Sequence, residues 1–181
     1  MKLLPFLFLS LALAAGSCAA GIVEDFCAQF AGGAEVRVFR GFTPPALDRD
    51  MVERAQKAGC VVLLGETFYP DTQTLPAKDA AAWLARATSP DSYYPSATAG
   101  QAVDTSFHAD IAFWCVTPDH KNEAYCLASF ATSQVLFSIA GKEATVTMTF
   151  ELEKISREIL LRTFEREVKA EKNEPAQNPR S

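Results

Sequence analysis

Over residues 152–168 apolar and polar positions alternate with a helical period. Leu152, Ile155, Ile159, Leu160, Thr163, Phe164 and Val168 share one face, while Lys154, Arg157, Glu158, Arg162, Glu165 and Arg166 cover the other. This is the clearest periodicity in the chain and predicts a long amphipathic helix packed on a sheet. Its mixed charges describe a solvated outer face, not a membrane-seeking one.

Other segments follow from the same reasoning. Over 22–31, Ile22, Val23, Phe26, Cys27 and Phe30 fall on one helical face, and Gly32-Gly33 ends the helix. The alternating stretch 35–40 predicts a half-buried strand. Thr43-Pro44-Pro45 opens a second helix carrying Leu47, Met51, Ala55 and Ala58. The unbroken apolar run 60–64 predicts a central strand buried on both faces. A third helix spans 76–87, with Ala80, Trp83, Leu84 and Ala87 inward. A loop rich in small and polar residues follows, to Ser106. Strand-like runs at 107–116 and 124–138 flank a turn-rich stretch, and a β-branched strand over 144–150 completes the sheet. The order predicts an α+β fold: a mixed or mainly antiparallel sheet of about five strands, with helices mainly on one face.

The first residues belong to none of this. Lys2 precedes the apolar run 3–15, which is short for a bilayer span of roughly 20 residues but suits a secretory leader. Small residues Gly16-Ser17-Cys18-Ala19-Ala20 offer cleavage after Ala19 or Ala20. Ala15-Gly16-Ser17-Cys18 also resembles a bacterial lipobox, with Ala15 where leucine is preferred, which makes Cys18 a lipidation candidate. The expected organisation is a signal peptide over 1–19, one domain over 20–169 and a disordered tail over 170–181. The expected location is extracytoplasmic: periplasmic, secreted, or anchored to a bacterial membrane through lipid on Cys18.

Composition fits one globular domain: 181 residues, 49% hydrophobic and 22% charged, with 13 Phe. Without Lys2 the basic residues fall from 17 to 16 against 22 acidic ones, a balance of −6. That acidity argues against a nucleic-acid partner.

Export changes how the cysteines are read. Five are present, at 18, 27, 60, 115 and 126, and processing at Cys18 leaves an even four in an oxidising compartment. A hairpin folded about His120-Lys121 sets Cys115 opposite Cys126, with Cβ atoms about 4.5–5.5 Å apart. The expected disulfides are therefore Cys115–Cys126 and, by elimination, Cys27–Cys60. A metal site of Cys115, His120 and Cys126 has three ligands and no CxxC, so no metal is expected.

Candidate chemistry is sparse. His108 and Asp110 lie two apart on one strand and share a face, an arrangement able to orient an imidazole as general base. Glu66 follows the apolar run, where strand ends often carry ligand contacts. His120 falls at a hairpin tip and reads as solvated. Trp83, Trp114, Tyr93 and Tyr94 are packing residues or a ligand groove. Ser129, Thr132 and Ser133 lack a nucleophile-elbow GxSxG. Phosphate loops, HExxH and EF-hand spacings are absent, so no cofactor is expected.

Phe107-His108-Ala109-Asp110, followed by Ser129-Phe130-Ala131-Thr132-Ser133-Gln134-Val135, resembles part of an uncharacterised group of exported bacterial proteins. In that group an F-x-P strand precedes a C-F-x-C-x-E-V strand. Here Ala109 replaces the proline, and Ser129 and Thr132 replace the cysteines, which removes the thiols. The resemblance implies a bacterial, exported α+β domain and supplies no activity. The leading expectation is a binding or accessory module without catalysis, with a protein or small-molecule partner. The alternative is a small periplasmic hydrolase using His108 with Asp110 or Glu66.

Overall fold

The computed structural model describes residues 21–42, 59–94 and 107–165. The leader with Cys18, the predicted helix after Thr43, most of the loop before Phe107 and the tail all lie outside the described residues. Among those described, the chain builds α1 (21–30), β1 (Glu35–Arg40), β2 (Val61–Leu63), β3 (Glu66–Phe68) and β4 (Gln73–Thr74). Then come α2 (Ala77–Ala87), a short 3-10 turn (Pro90–Ser92), β5 (Ile111–Val116), β6 (Glu123–Ser129), β7 (Gln134–Ile139), β8 (Lys142–Thr147) and α3 (Phe150–Thr163). No helix among the described residues is long and apolar enough to cross a membrane.

The fold is α+β. Its main sheet is antiparallel and six-stranded, in the order β4-β1-β5-β6-β7-β8, and β2-β3 form a separate hairpin. Alternation along each strand divides the residues between two faces. Val36, Val38, Ile111, Phe113, Cys115, Ala124, Cys126, Val135, Phe137 and Ile139 face the helices. Onto them α1 lays Ile22, Phe26 and Phe30, α2 lays Ala80, Trp83 and Leu84, and α3 lays Leu152 and Ile159. Trp83 stacks on Phe113 with centroids 4.0 Å apart, and its Nε1–H donates to Ser156 Oγ at 3.2 Å. Burying each large apolar side chain contributes roughly 1.5–3 kcal/mol. The gap left in this core is only about 10 Å³, too small for a ligand.

The second face carries no described helix. Phe39, Ala112, Leu127 and Leu136 meet Val61, Leu63, Leu64 and Phe68 there, so the β2–β3 hairpin lies over part of that face. This corrects the expectation of a central strand at 60–64. Leu64 and Gly65 both take positive φ, 52° and 85°, and form a two-residue turn that returns the chain on itself. Val62 is accordingly 60% exposed. The predicted strand 124–138 is likewise two strands, β6 and β7, joined through a turn over 130–133.

The β5–β6 register also differs from expectation. Thr117 N–H donates to Asn122 O at 3.0 Å, while Thr117 Oγ1 accepts from Asn122 N–H at 3.1 Å and bonds Asp119 Oδ1 at 2.7 Å. These bonds centre the turn on Asp119-His120, one position earlier than predicted. Cys115 therefore pairs with Ala124, and Cys126 with Phe113. The two cysteines are diagonal neighbours on one face, not opposed partners.

Gly41 marks a close crossing at the end of β1. Its N–H donates to Asp110 O at 2.9 Å, and it bridges Phe68 of β3. A Cβ there would lie 1.8 Å from Ala109 O, so only glycine lets the three segments meet.

Candidate functional site

The second face presents a concavity of about 460 Å³ where the hairpin leaves it uncovered. Glu35, Arg37, Trp114, Val116, Asn122 and Glu123 line it, together with His120 and Lys121 at the hairpin tip. Arg37 and Trp114 stand directly opposite each other in it, and Tyr125, opposite Trp114 on the next strand, extends the row beside the concavity. The Arg37 guanidinium lies 5.0 Å from the indole centroid, and the Trp114 and Tyr125 rings stack at 6.1 Å with planes 7° apart. Such cross-strand pairs each contribute a few tenths to about 1 kcal/mol and hold the row in place.

Carboxylates orient the row. Arg37 Nε donates to Glu35 Oε1 at 2.9 Å, and Trp114 Nε1–H donates to Glu123 Oε2 at 3.3 Å. Tyr125 has its phenol pKa pushed up, by burial first and then by the Glu123 charge. Asp119 at the tip is held below the ordinary carboxylate value by hydrogen bonds from Thr117 and Lys121. The concavity thus combines aromatic surface with guanidinium, ammonium, imidazole, amide and carboxylate groups, a set suited to recognition.

The sequence-predicted trio, Glu66, His108 and Asp110, lies at the other end of the sheet, where β5 begins. Glu66 Oε2 accepts from Ala109 N–H at 3.2 Å. Asp110 Oδ2 accepts from Phe130 N–H at 2.6 Å. Burial raises the Asp110 pKa, opposed by that hydrogen bond and by the Arg157 and His108 charges. Arg157 in turn pairs with Glu153 at 2.7 Å and donates to Phe130 O at 3.3 Å, and Glu153 accepts from Ser133 Oγ at 2.8 Å. Both carboxylates of the trio are therefore engaged in holding backbone.

Beside this corner, side-chain oxygens of Ser129, Thr132, Gln134 and Thr145 are buried without a hydrogen-bond partner. Ser129 is opposite Gln134, and both belong to the second face. These are three hydroxyls and one amide oxygen, and an unpaired buried polar group costs about 1–3 kcal/mol. Nothing in their sequence pattern announces them; the register of β6, β7 and β8 brings them together.

The remaining predicted residues disperse. Trp83 and Tyr93 are core residues, Tyr93 O–H donating to Ala87 O at 2.6 Å, and Tyr94 is exposed away from the Trp114 concavity. Cys27, Cys60, Cys115 and Cys126 are free thiols in this structure. The expected Cys27–Cys60 bond is not formed here. Cys27 packs on the helix-side core, whereas Cys60 precedes Val61 of the hairpin on the far side of the sheet. Burial raises the Cys126 thiol pKa well above its ordinary value, and the neighbouring Cys115 thiol adds to the rise. No cluster of three or more His, Cys, Asp or Glu among the described residues could hold a metal ion.

Sequence reasoning singled out Trp114 and missed Arg37, Tyr125 and the two carboxylates. Alternation places Arg37 and Tyr125 outward, but only strand pairing shows that they flank Trp114. Comparison with family models, curated proteins and solved structures found no match to this chain.

Proposed function

We propose that this chain is an extracytoplasmic binding module without catalysis of its own, and that it recognises a protein or small-molecule partner at the Trp114 concavity. The observation that carries the reading is the Arg37–Trp114–Tyr125 row, held by Glu35 and Glu123 on a face that no described helix covers. A surface with aromatic area and fixed polar groups of both signs offers the features binding sites use. Export rests on the leader and on the four-cysteine count.

Intrinsic fluorescence tests it, because Trp83 is sealed in the core at 3% exposure and Trp114 is the accessible reporter. Titration of peptide and metabolite libraries should yield ligands that change the emission of wild type, with the response lost in Trp114→Phe and weakened in Arg37→Ala. Ligands that bind equally well to Trp114→Ala would refute the site.

A second reading, a small hydrolase, draws on the His108–Asp110 pair and on Glu66 bonded to the backbone between them. It ranks below because both carboxylates already hold backbone amides. Hydrolysis by wild type that disappears in His108→Ala would reverse the order.

A further inference from the structure

We infer that Cys115 and Cys126 close a cross-strand disulfide in oxidising conditions, and that it is the domain's single internal bond. The inference is independent of what the Trp114 concavity binds. Both side chains lie on the helix-facing side of the β5–β6 hairpin, 0% and 2% exposed, two positions apart in register. Diagonal partners in an antiparallel pair sit about 7–8 Å apart at Cα, with Cβ closer. That lies beyond the usual Cα separation of about 4.4–6.8 Å, and both thiols are free in this structure, so closure must draw the strands together locally.

The other thiols have no such partner. Cys60 directly precedes β2 of the hairpin that lies over the other face of the sheet. Cys27 reaches the same core from α1 but belongs to a helix that must dock before it can approach. The hairpin cysteines are only 11 positions apart in sequence and meet as soon as the hairpin forms.

The chemistry is ordinary exchange with an external disulfide, such as oxidised glutathione or an oxidoreductase. One cysteine thiolate attacks the external disulfide and releases one thiol. The second thiolate then attacks the mixed disulfide at the first cysteine's sulfur and releases the other. The two cysteines lose two electrons and two protons, and the oxidant gains them as two thiols. Since the folded core excludes oxidants, the bond forms while the hairpin is still open, and the finished core then shields it from reductants.

The test refolds the reduced, denatured full chain in a glutathione redox buffer, alkylates the remaining thiols and digests with trypsin. Lys121 lies between the cysteines, so the bond joins peptide 87–121 to peptide 122–142. The expected result is that linked pair, about 2 Da below the sum of its reduced parts, with Cys27 and Cys60 alkylated. The Cys27→Ser/Cys60→Ser double variant should give the same link. Full alkylation of Cys115 and Cys126, or a dominant link through Cys60 or Cys27, would overturn the inference. Reductant added without denaturant should leave the link intact, and prompt reduction would overturn the shielding.

Discussion

Gly41→Ala should be among the most damaging single substitutions in the domain. The added Cβ would sit 1.8 Å from Ala109 O, 2.8 Å from Ala109 C and 3.0 Å from Asp110 C, all backbone atoms. Ordinary contact begins at 3.4 Å, so the crossing segment must retreat by 3.4 − 1.8 = 1.6 Å. No side-chain rotation relieves that. Overpacking alone costs roughly 1–3 kcal/mol. The retreat also strains the Gly41–Asp110 and Ala109–Glu66 hydrogen bonds, each contributing about 0.5–1.5 kcal/mol. Together these give a loss of about 2–6 kcal/mol, from a domain expected to be stable by about 5–15 kcal/mol. At about 2–4 °C per kcal/mol for a domain of this size, the melting temperature should fall by roughly 4–24 °C. Thermal unfolding followed by circular dichroism reads this directly. Gly32→Ala is the control, since its Cβ meets nothing within 4 Å and its φ is not positive. A Gly41→Ala melting temperature within about 2 °C of that control would refute the reasoning.

Two further outcomes follow from buried polar groups. Ser156→Ala removes the acceptor of the buried Trp83 Nε1–H and should destabilise by about 1–3 kcal/mol, measured by urea unfolding; no change would show that the bond contributes nothing. Asp110→Asn keeps an acceptor for Phe130 N–H while removing a carboxylate whose pKa burial raises. A raised acid pKa means the folded state binds the proton more tightly, so stability falls as pH rises through the folded value. The variant should therefore gain on wild type at neutral pH, and the difference should vanish on acidification below the unfolded carboxyl value of about 3.9. Melting temperatures across that range check it, and a variant less stable at pH 7 than at pH 3.5, each relative to wild type, contradicts the sign.

Helices were the legible part of the sequence. The inward residues of α2, Ala80, Trp83, Leu84 and Ala87, are the predicted ones, because a helical period needs only local spacing. Strands were legible as alternation but not as partners. The run from Cys60 looked central because it is apolar, yet the Leu64-Gly65 turn makes it a hairpin covering the sheet. The register of Cys115 slipped by two residues because Thr117 engages Asn122 and Asp119 through its hydroxyl, a tertiary choice that symmetric counting about a midpoint does not contain. The candidate site was divided in the same way. Glu66, His108 and Asp110 were each visible, but the Arg37–Trp114–Tyr125 row joins β1 to the much later hairpin of β5 and β6.

The two-sided sheet has a consequence for how this chain can change over generations. Side chains at positions 37, 114 and 125 face away from the described helices, while their immediate neighbours at 36, 113, 115, 124 and 126 belong to the helix-side core. Substitutions on one side should combine almost additively with distant ones on the other. A lineage could therefore revise what the exposed row recognises, residue by residue, while inheriting the interior unaltered.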